Sequence, residues 1–346
     1  MKKSTTIAID LAKNSFQICK LVRDQVASEK ALNNQKLKSW LQKQPSSHVV
    51  MEACGSAHHW GRFCQNLGHD VSIIAPKNVT PFRANQKTDK NDALAIAIAA
   101  RQPNVHSVGV KTIDAQALQS IERVRQHLND LIVATSNMVR GLILEFGITI
   151  PKGVSAFNKT IPQILENGNS ELPDILRPYL HHMYNLHQGL SEQKVQIEKE
   201  LSYYINRHSE CKKLLELEGI GPINALGLYL ALGHTGRNFK NGREASACIG
   251  LTPKQYSTGG VTTMLGISKK VANKRLRANL IQGALSVVRL LQYREPKNGK
   301  ETWLKALIVR AGLRRAAVAL ANKSIRTAWS MLKHDTQYST SFKHAA

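Results

Sequence analysis

Apolar and polar residues alternate with a short period over the first hundred positions. Thr5-Thr6-Ile7-Ala8-Ile9-Asp10 is a β-prone run closing on a carboxylate, Ser15 to Val22 alternates well enough for a second strand, and Gln25 to Ala31 completes a meander. A helical stretch near Leu37 to Leu41 follows, then Ser47 to Glu52, another apolar run that ends on an acid. Gly55 to Leu67 reads as a helix and Asp70 to Ala75 as a strand stopped by Pro76. The alanine- and isoleucine-rich run Ala93 to Ala100 reads as a helix with Asp89 and Asp92 at its start. The predicted order is β-β-β-α-β-α-β-α.

From Thr112 to Glu145 the period becomes helical, with apolar residues at Leu118, Ile121, Val124, Leu128 and Leu131, an interruption at Thr135, and a resumption at Met138 and Leu142. A second periodic stretch runs through Leu186, Leu190, Ile197, Leu201 and Ile205. Together they predict an antiparallel helical or coiled-coil arm, although a plain bundle without a partner has the same periodicity. Pro151, Pro162, Pro173 and Pro178 predict shorter helices and turns between them. Leu214 to Pro222 holds a glycine hairpin between helices, similar to those that grip DNA backbones through helix N-terminal amides, and Lys274 to Leu291 reads as a further helix.

The strand and helix order is that of a ribonuclease-H-like fold, so the expected fold class is α/β plus α. That means a mixed sheet with helices over residues 1–108, a helical coiled-coil arm over 109–210 and a mostly helical domain over 211–346. The competing sugar-kinase and actin-like fold also opens on a strand ending in Asp, but it needs glycines for phosphate approach, and Leu11-Ala12-Lys13 supplies none.

In a ribonuclease-H-like fold, acids from the first strand, a later strand end and a closing helix meet at one edge to hold two metal ions. Asp10, Glu52, Asp89 and Asp92 occupy those places. Asp89 and Asp92 are three apart and share a helix face; alone they read as a first-turn offset to the helix dipole. With Asp10 and Glu52 added, the set reads as a Mg²⁺ site of one or two ions, because a cation relieves the repulsion and gains hard oxygen ligands. His58 and His59 lack ligand spacing and read as surface or supporting residues.

Composition narrows the class. Hydrophobic residues make up 42% of 346, enough for folded cores, and no run has the apolar length of a membrane span. Met1-Lys2-Lys3 leads into polar residues, not the apolar core of a signal peptide, so the expected location is the cytoplasm. Five cysteines without a Cys-x-x-Cys pair predict reduced thiols. Lys and Arg number 48 against 24 Asp and Glu, and the surplus of 24 is uneven: 7 over residues 1–100, none over 101–210, and 17 over 211–346. Such asymmetry predicts a polyanion partner, nucleic acid more than membrane.

Ala247 to Gly260 reads as a small-residue loop carrying Ser257, Thr258, Gly259 and Gly260, in which a hydroxyl beside two glycines can approach a phosphate. Lys254, Lys269, Lys270, Lys274, Arg275 and Arg277 lie nearby as candidate phosphate contacts.

These motifs together resemble the insertion-sequence transposases that pair a RuvC-like domain of the Asp-Glu-Asp-Asp type with a serine-bearing transposase domain. The resemblance rests on Ala8-Ile9-Asp10, Met51-Glu52-Ala53, Lys87-Thr88-Asp89 with Asn91-Asp92-Ala93, Gly219-Ile220-Gly221-Pro222, and Gly250-Leu251-Thr252-Pro253 leading to Ser257-Thr258-Gly259-Gly260. It implies a DNA recombinase guided by a structured non-coding RNA that pairs with target and donor DNA. It also implies a homodimer per DNA and a synaptic homotetramer, in which acids of one subunit complete a site with the serine of another. In many relatives the serine stands directly before glycine, where this chain has Thr258; a subgroup has the Ser-Thr-Gly-Gly form, which points to Ser257, with Thr258 as the alternative nucleophile. Two other readings are a Holliday-junction-type nuclease using metal-activated water and a non-catalytic nucleic-acid-binding protein on a degenerate nuclease fold.

Overall fold

The computed structural model describes residues 5–84, 86–168, 170–268, 271 and 273–339. Among them no helix is long and apolar enough to cross a membrane. The chain forms two compact units: Met1–Ala115 with Leu217–Gly219 and Gly227–Ala346, and Gln116–Glu216 with Ile220–Leu226.

The first unit opens with β1 (Thr5–Leu11), β2 (Phe16–Val22), β3 (Gln25–Leu32), α1 (Asn34–Gln42), β4 (His48–Glu52), α2 (Ala57–Asn66), β5 (Asp70–Ile74), α3 (Pro76–Val79), α4 (Asp89–Arg101) and β6 (Ser107–Val108). The strands form one mixed sheet in the order β3-β2-β1-β4-β5-β6, with β1, β4 and β5 parallel and the rest antiparallel. This is the ribonuclease-H-like arrangement that the strand order predicts. Pro76 ends the strand run and also opens α3, where its fixed φ and missing N–H are tolerated. One sheet face packs Ile9, Ile18, Val49 and Met51 against Leu37 and Leu41 of α1 and Trp60 of α2. The other packs Ala8, Cys19, Val50 and Ile74 against Ala93, Ile96 and Ala97 of α4. Small residues on α4 let it lie close to the strands.

The second unit is built on α5 (Ile113–Leu144), α6 (Val154–Glu166) and α7 (Arg177–Arg207). The helical arm is present, but its seam differs from the predicted one. Leu118, Arg125, Ile132 and Val139 repeat every seven residues and are buried, whereas Val124, Leu131 and Met138 are exposed. Arg125 takes a core position because Glu122 and Glu198 both pair with it, at 2.6 Å and 3.0 Å. Nor is there a break at Thr135: α5 is continuous, and Thr135 and Ser136 are small enough to sit buried in the seam.

Beyond α7 come α8 (Ser209–Leu214), α9 (Pro222–Leu232), α10 (Gly242–Ile249), β7 (Pro253–Thr258), β8 (Val261–Ile267), α11 (Lys274–Gln292), α12 (Gly299–Ala311) and α13 (Leu313–His334). Leu276, Leu280 and Val288 of α11 and Ala316, Leu320 and Ile325 of α13 are buried. The predicted loop from Ala247 to Gly260 is in fact the end of α10 followed by one strand of a hairpin, β7 paired antiparallel to β8.

The glycine turn between α8 and α9 has a packing role. Gly219 has φ +76°, and a Cβ there would stand 2.6 Å from the Gly283 carbonyl oxygen on α11. Gly221 has open space around its Cβ direction. Gly219→Ala is therefore expected to cost roughly 2–5 kcal/mol, from left-handed strain plus the backbone clash, while Gly221→Ala stays near wild type. Denaturant melts of the two variants check this contrast.

Candidate active site

The β1–β4 register sets Ile9 beside Met51, so the next residues, Asp10 near the end of β1 and Glu52 at the end of β4, lie side by side on adjacent parallel strands. Ile9 and Met51 face α1 and α2, and alternation turns Asp10 and Glu52 to the α4 face, with Ala8 and Val50. The start of α4 lies on that face. Thr88 caps it, its Oγ1 accepting from the Asn91 amide at 3.3 Å, and the Asn91 side chain donates to the Gln86 carbonyl at 2.7 Å. Asp89 is then the first helical residue and exposed, while Asp92, one turn on, is buried at 9% exposure.

The four carboxylates feel one another. Burial raises the Asp10 pKa above its ordinary value, Asp92 and Asp89 raise it further, and Arg83 opposes them. Glu52 is raised by burial and then by Asp10, with Arg83 and Lys87 opposing. Arg83 forms an ion pair with Asp92 through its Nε. Nothing in the local sequence marks Arg83: it sits in a short turn before α4, and only the fold brings it to the acids.

Among the described residues no three His, Cys, Asp or Glu side chains stand close enough to cage a metal ion as they are placed. The donor set nevertheless fits a divalent cation in kind. All four are hard oxygen donors, two have pKa values raised by burial and then by neighbouring negative charge, and the cation now among them is a guanidinium paired with Asp92. Binding such an ion with Asp92 as a ligand requires Arg83 to yield that carboxylate. His58 has a structural partner, its Nδ1 accepting from the Lys111 amide at 3.2 Å. The buried thiols are no candidates for nucleophiles: burial pushes Cys64 and Cys211 up to about 12.

Ser257 lies one residue before the end of β7. Gly259 and Gly260, at φ +54° and +80°, make the two-residue turn to β8, a conformation open to glycine and suited to strand twist. Ser257 pairs with Thr262, and their hydroxyls are 3.2 Å apart; the Gln255 amide donates to Ser257 Oγ at 2.9 Å. Thr258 is opposite Val261, on the other face of the hairpin. Every residue of β7 is exposed, and among the described residues no hydrogen bond or ion pair joins Ser257 to the acids.

Of the basic candidates, Lys254 is exposed on β7, and Lys274 and Arg275 are exposed at the start of α11. There two cations add to the positive end of the helix dipole instead of offsetting it, an arrangement that favours an anion. Arg277 is half-buried and donates to the Ser268 carbonyl, so its first task is to hold the segment before α11. Lys269 and Lys270 lie outside the described residues.

Comparison with known proteins covers nearly the whole chain. A family model described as Transposase, of the DEDD type associated with IS110, matches residues 7–148, and one described as Transposase IS116/IS110/IS902 family matches residues 211–298. A probable family 20 transposase of Pseudomonas aeruginosa is 36% identical over 96% of this chain and 98% of its own length. The transposase for insertion sequence element IS1111A of Coxiella burnetii is 34% identical over 98% and 92%, and that for IS1328 of Yersinia enterocolitica 36% identical over 98% and 100%.

The crowding of the acids has a signed consequence. Folded Asp10 holds its proton more tightly than the unfolded chain does, so its protonation favours folding below the ordinary value of 3.8, and that stabilisation is lost as pH rises through the raised value. At pH 7 the charged group is a burden on the fold. Asp10→Asn is therefore expected to melt above wild type at pH 7 in chelator-treated buffer, with the gap closing at about pH 3, where both side chains are neutral. A wild type more stable than the variant at pH 7 contradicts the raised Asp10 pKa.

Proposed function

The chain belongs to the IS116/IS110/IS902 family of insertion-sequence transposases, and on that premise we propose that it is an RNA-guided DNA recombinase working through a serine–DNA linkage. The observation that carries the proposal is the arrival of Asp10 and Glu52 from adjacent parallel strands opposite the first turn of α4, with raised carboxyl pKa values. Those acids would hold one or two Mg²⁺ ions. Mg²⁺ bound there supplies Lewis-acid activation of the attacking oxygen and stabilises charge on the leaving one. Residues 1–108 are then the metal-dependent domain, 109–210 the arm and 211–346 the basic domain bearing the serine.

Ser257 is the proposed nucleophile. Its Oγ–P bond forms as the P–O bond to the leaving strand breaks, and the proton lost from the hydroxyl is returned on the leaving oxygen. The phosphodiester energy stays in the serine linkage, so strands can be resealed without ATP. Thr258 is the weaker alternative, since its β-branch restricts χ1 and crowds an in-line approach.

An exposed hairpin bonded within itself supports delivery of Ser257 to acids of another protomer. The exposed seven-residue stripe Val124, Leu131 and Met138 on α5 supports a homodimer through the arm, and the family resemblance extends this to a synaptic homotetramer. The partners proposed are donor DNA, target DNA and a non-coding guide RNA. The surplus of 17 positive charges after residue 210 supports backbone binding, with sequence reading left to base pairing.

A nicked suicide DNA substrate, incubated with guide RNA and Mg²⁺, is expected to leave a DNA adduct on Ser257 by peptide mass spectrometry. Ser257→Ala should lower strand exchange by roughly a thousandfold or more while DNA binding persists. An adduct on Thr258 reassigns the nucleophile by one residue. Undiminished cleavage by Ser257→Ala, with no adduct, supports the water-using nuclease instead.

A further inference from the structure

A second basic site shares no lining residue with the acids or the serine hairpin. The start of α10 abuts the middle of α13, and the two helices enclose a cleft of about 600 Å³ lined in part by Asn241, Gly242, Arg243, Lys323, Arg326 and Trp329. The close approach depends on glycine: a Cβ on Gly242 would stand 3.0 Å from the Arg326 Cα and 3.1 Å from its carbonyl oxygen. Asn241 caps α10, its Oδ1 accepting from the Glu244 amide at 2.9 Å. Helix geometry leaves the Gly242 and Arg243 amides without intrahelical acceptors.

Three cations share this cleft. Arg243 and Arg326 are exposed, and Lys323 is half-buried with its ammonium 4.8 Å from the Trp303 ring centroid. Burial lowers the Lys323 pKa, and Lys300 and Arg326 lower it further. Trp329 makes a fixed aromatic wall, because its indole N–H donates to the carbonyls of Gly236 at 3.1 Å and Phe239 at 3.2 Å. Among the lining residues there is no acid.

We propose that this cleft seats one nucleotide of a single nucleic-acid strand, its phosphate between Arg243, Lys323, Arg326 and the α10 amides, its sugar and base along Trp329. The inference rests on the reading of the chain as a nucleic-acid enzyme and adds a seat that none of the motif residues forms. An open cleft of this volume admits a whole nucleotide, and an aromatic wall beside crowded cations is the combination that holds unpaired strands. Bases stacked within a duplex have no free ring face to lay against Trp329. On α13, Lys323, Arg326, Ser330 and Lys333 follow helical spacing along about 15 Å, long enough for neighbouring phosphates to track the helix.

The test compares full-length wild type, Arg243→Gln/Arg326→Gln, and the control Arg289→Gln/Arg310→Gln, which removes two exposed cations elsewhere in the domain. All four positions are exposed, so each protein is expected to fold, and melting curves verify it. Affinity is measured from low to high salt for a labelled single-stranded DNA, the RNA of the same sequence, and the DNA duplex. The cleft variant is expected to lose about tenfold or more for a single strand and to lower the salt slope by about 1 to 2, while the control loses distinctly less. Loss on RNA alone or on DNA alone identifies which strand occupies the seat. A strand carrying one thio-substituted pyrimidine should crosslink to the peptide containing Trp329 in wild type.

Equal losses in the two variants, or a loss confined to duplex, overturn the nucleotide seat while leaving the enzyme reading intact. A wild type that binds none of the three at low salt overturns both.

Discussion

The parallel pairing of β1 with β4 is the constraint on which the site depends. Its register puts Asp10 and Glu52 next to each other, and the two-residue period of a strand sends both to the same face. A slip of one residue on β4 would bury Glu52 among Leu37, Leu41 and Trp60 and turn Met51 to the α4 face. The hydrophobic cost of such a slip protects the alignment of the acids, so the core on the α1 and α2 side holds the chemistry on the α4 side. Helix α4 completes it with a surface of alanines, which brings the Asp89 and Asp92 turn near the strand ends.

The resulting charge is an imposed strain on the fold. Burial and then neighbouring carboxylates raise the pKa values of Asp10 and Glu52, and Arg83, paired with Asp92, offsets part of that. A guanidinium on a short turn is a mobile counter-charge compared with a divalent ion held by several oxygens. Arg83 thus supplies the positive charge beside the acids in this structure, and the proposed metal would compete with it for Asp92.

Much of the first unit could be read in the chain. Strand runs ending on Asp10 and Glu52, and a helix opening at Asp89, are local signals, and their order limits the topology to few choices. Arg83 could not be read, because its partner lies nine residues on in sequence but its meaning depends on two strands elsewhere. The β7–β8 hairpin was hidden by its polar composition: Gln255, Ser257, Thr262 and Thr263 look like a loop, although Gly259-Gly260 between β-prone residues carries the turn signal. The arm misled in a different way. Arg125 in the seam and Val124 outside it reverse the usual hydrophobic pattern, and only the paired Glu122 and Glu198 explain the exchange. The cleft at Trp329 needed Gly242 and Arg326 to meet from distant parts of the chain, which no spacing rule reveals.

The central claim is that four acids from two strands and one helix form a divalent-cation site. Its most direct test is electron paramagnetic resonance of Mn²⁺, standing in for Mg²⁺, titrated into the full chain and into Asp92→Asn of equal thermal stability. The account predicts one or two saturable Mn²⁺ ions on wild type and their loss in the variant. Equal Mn²⁺ binding by the two proteins, or none by wild type, would contradict it.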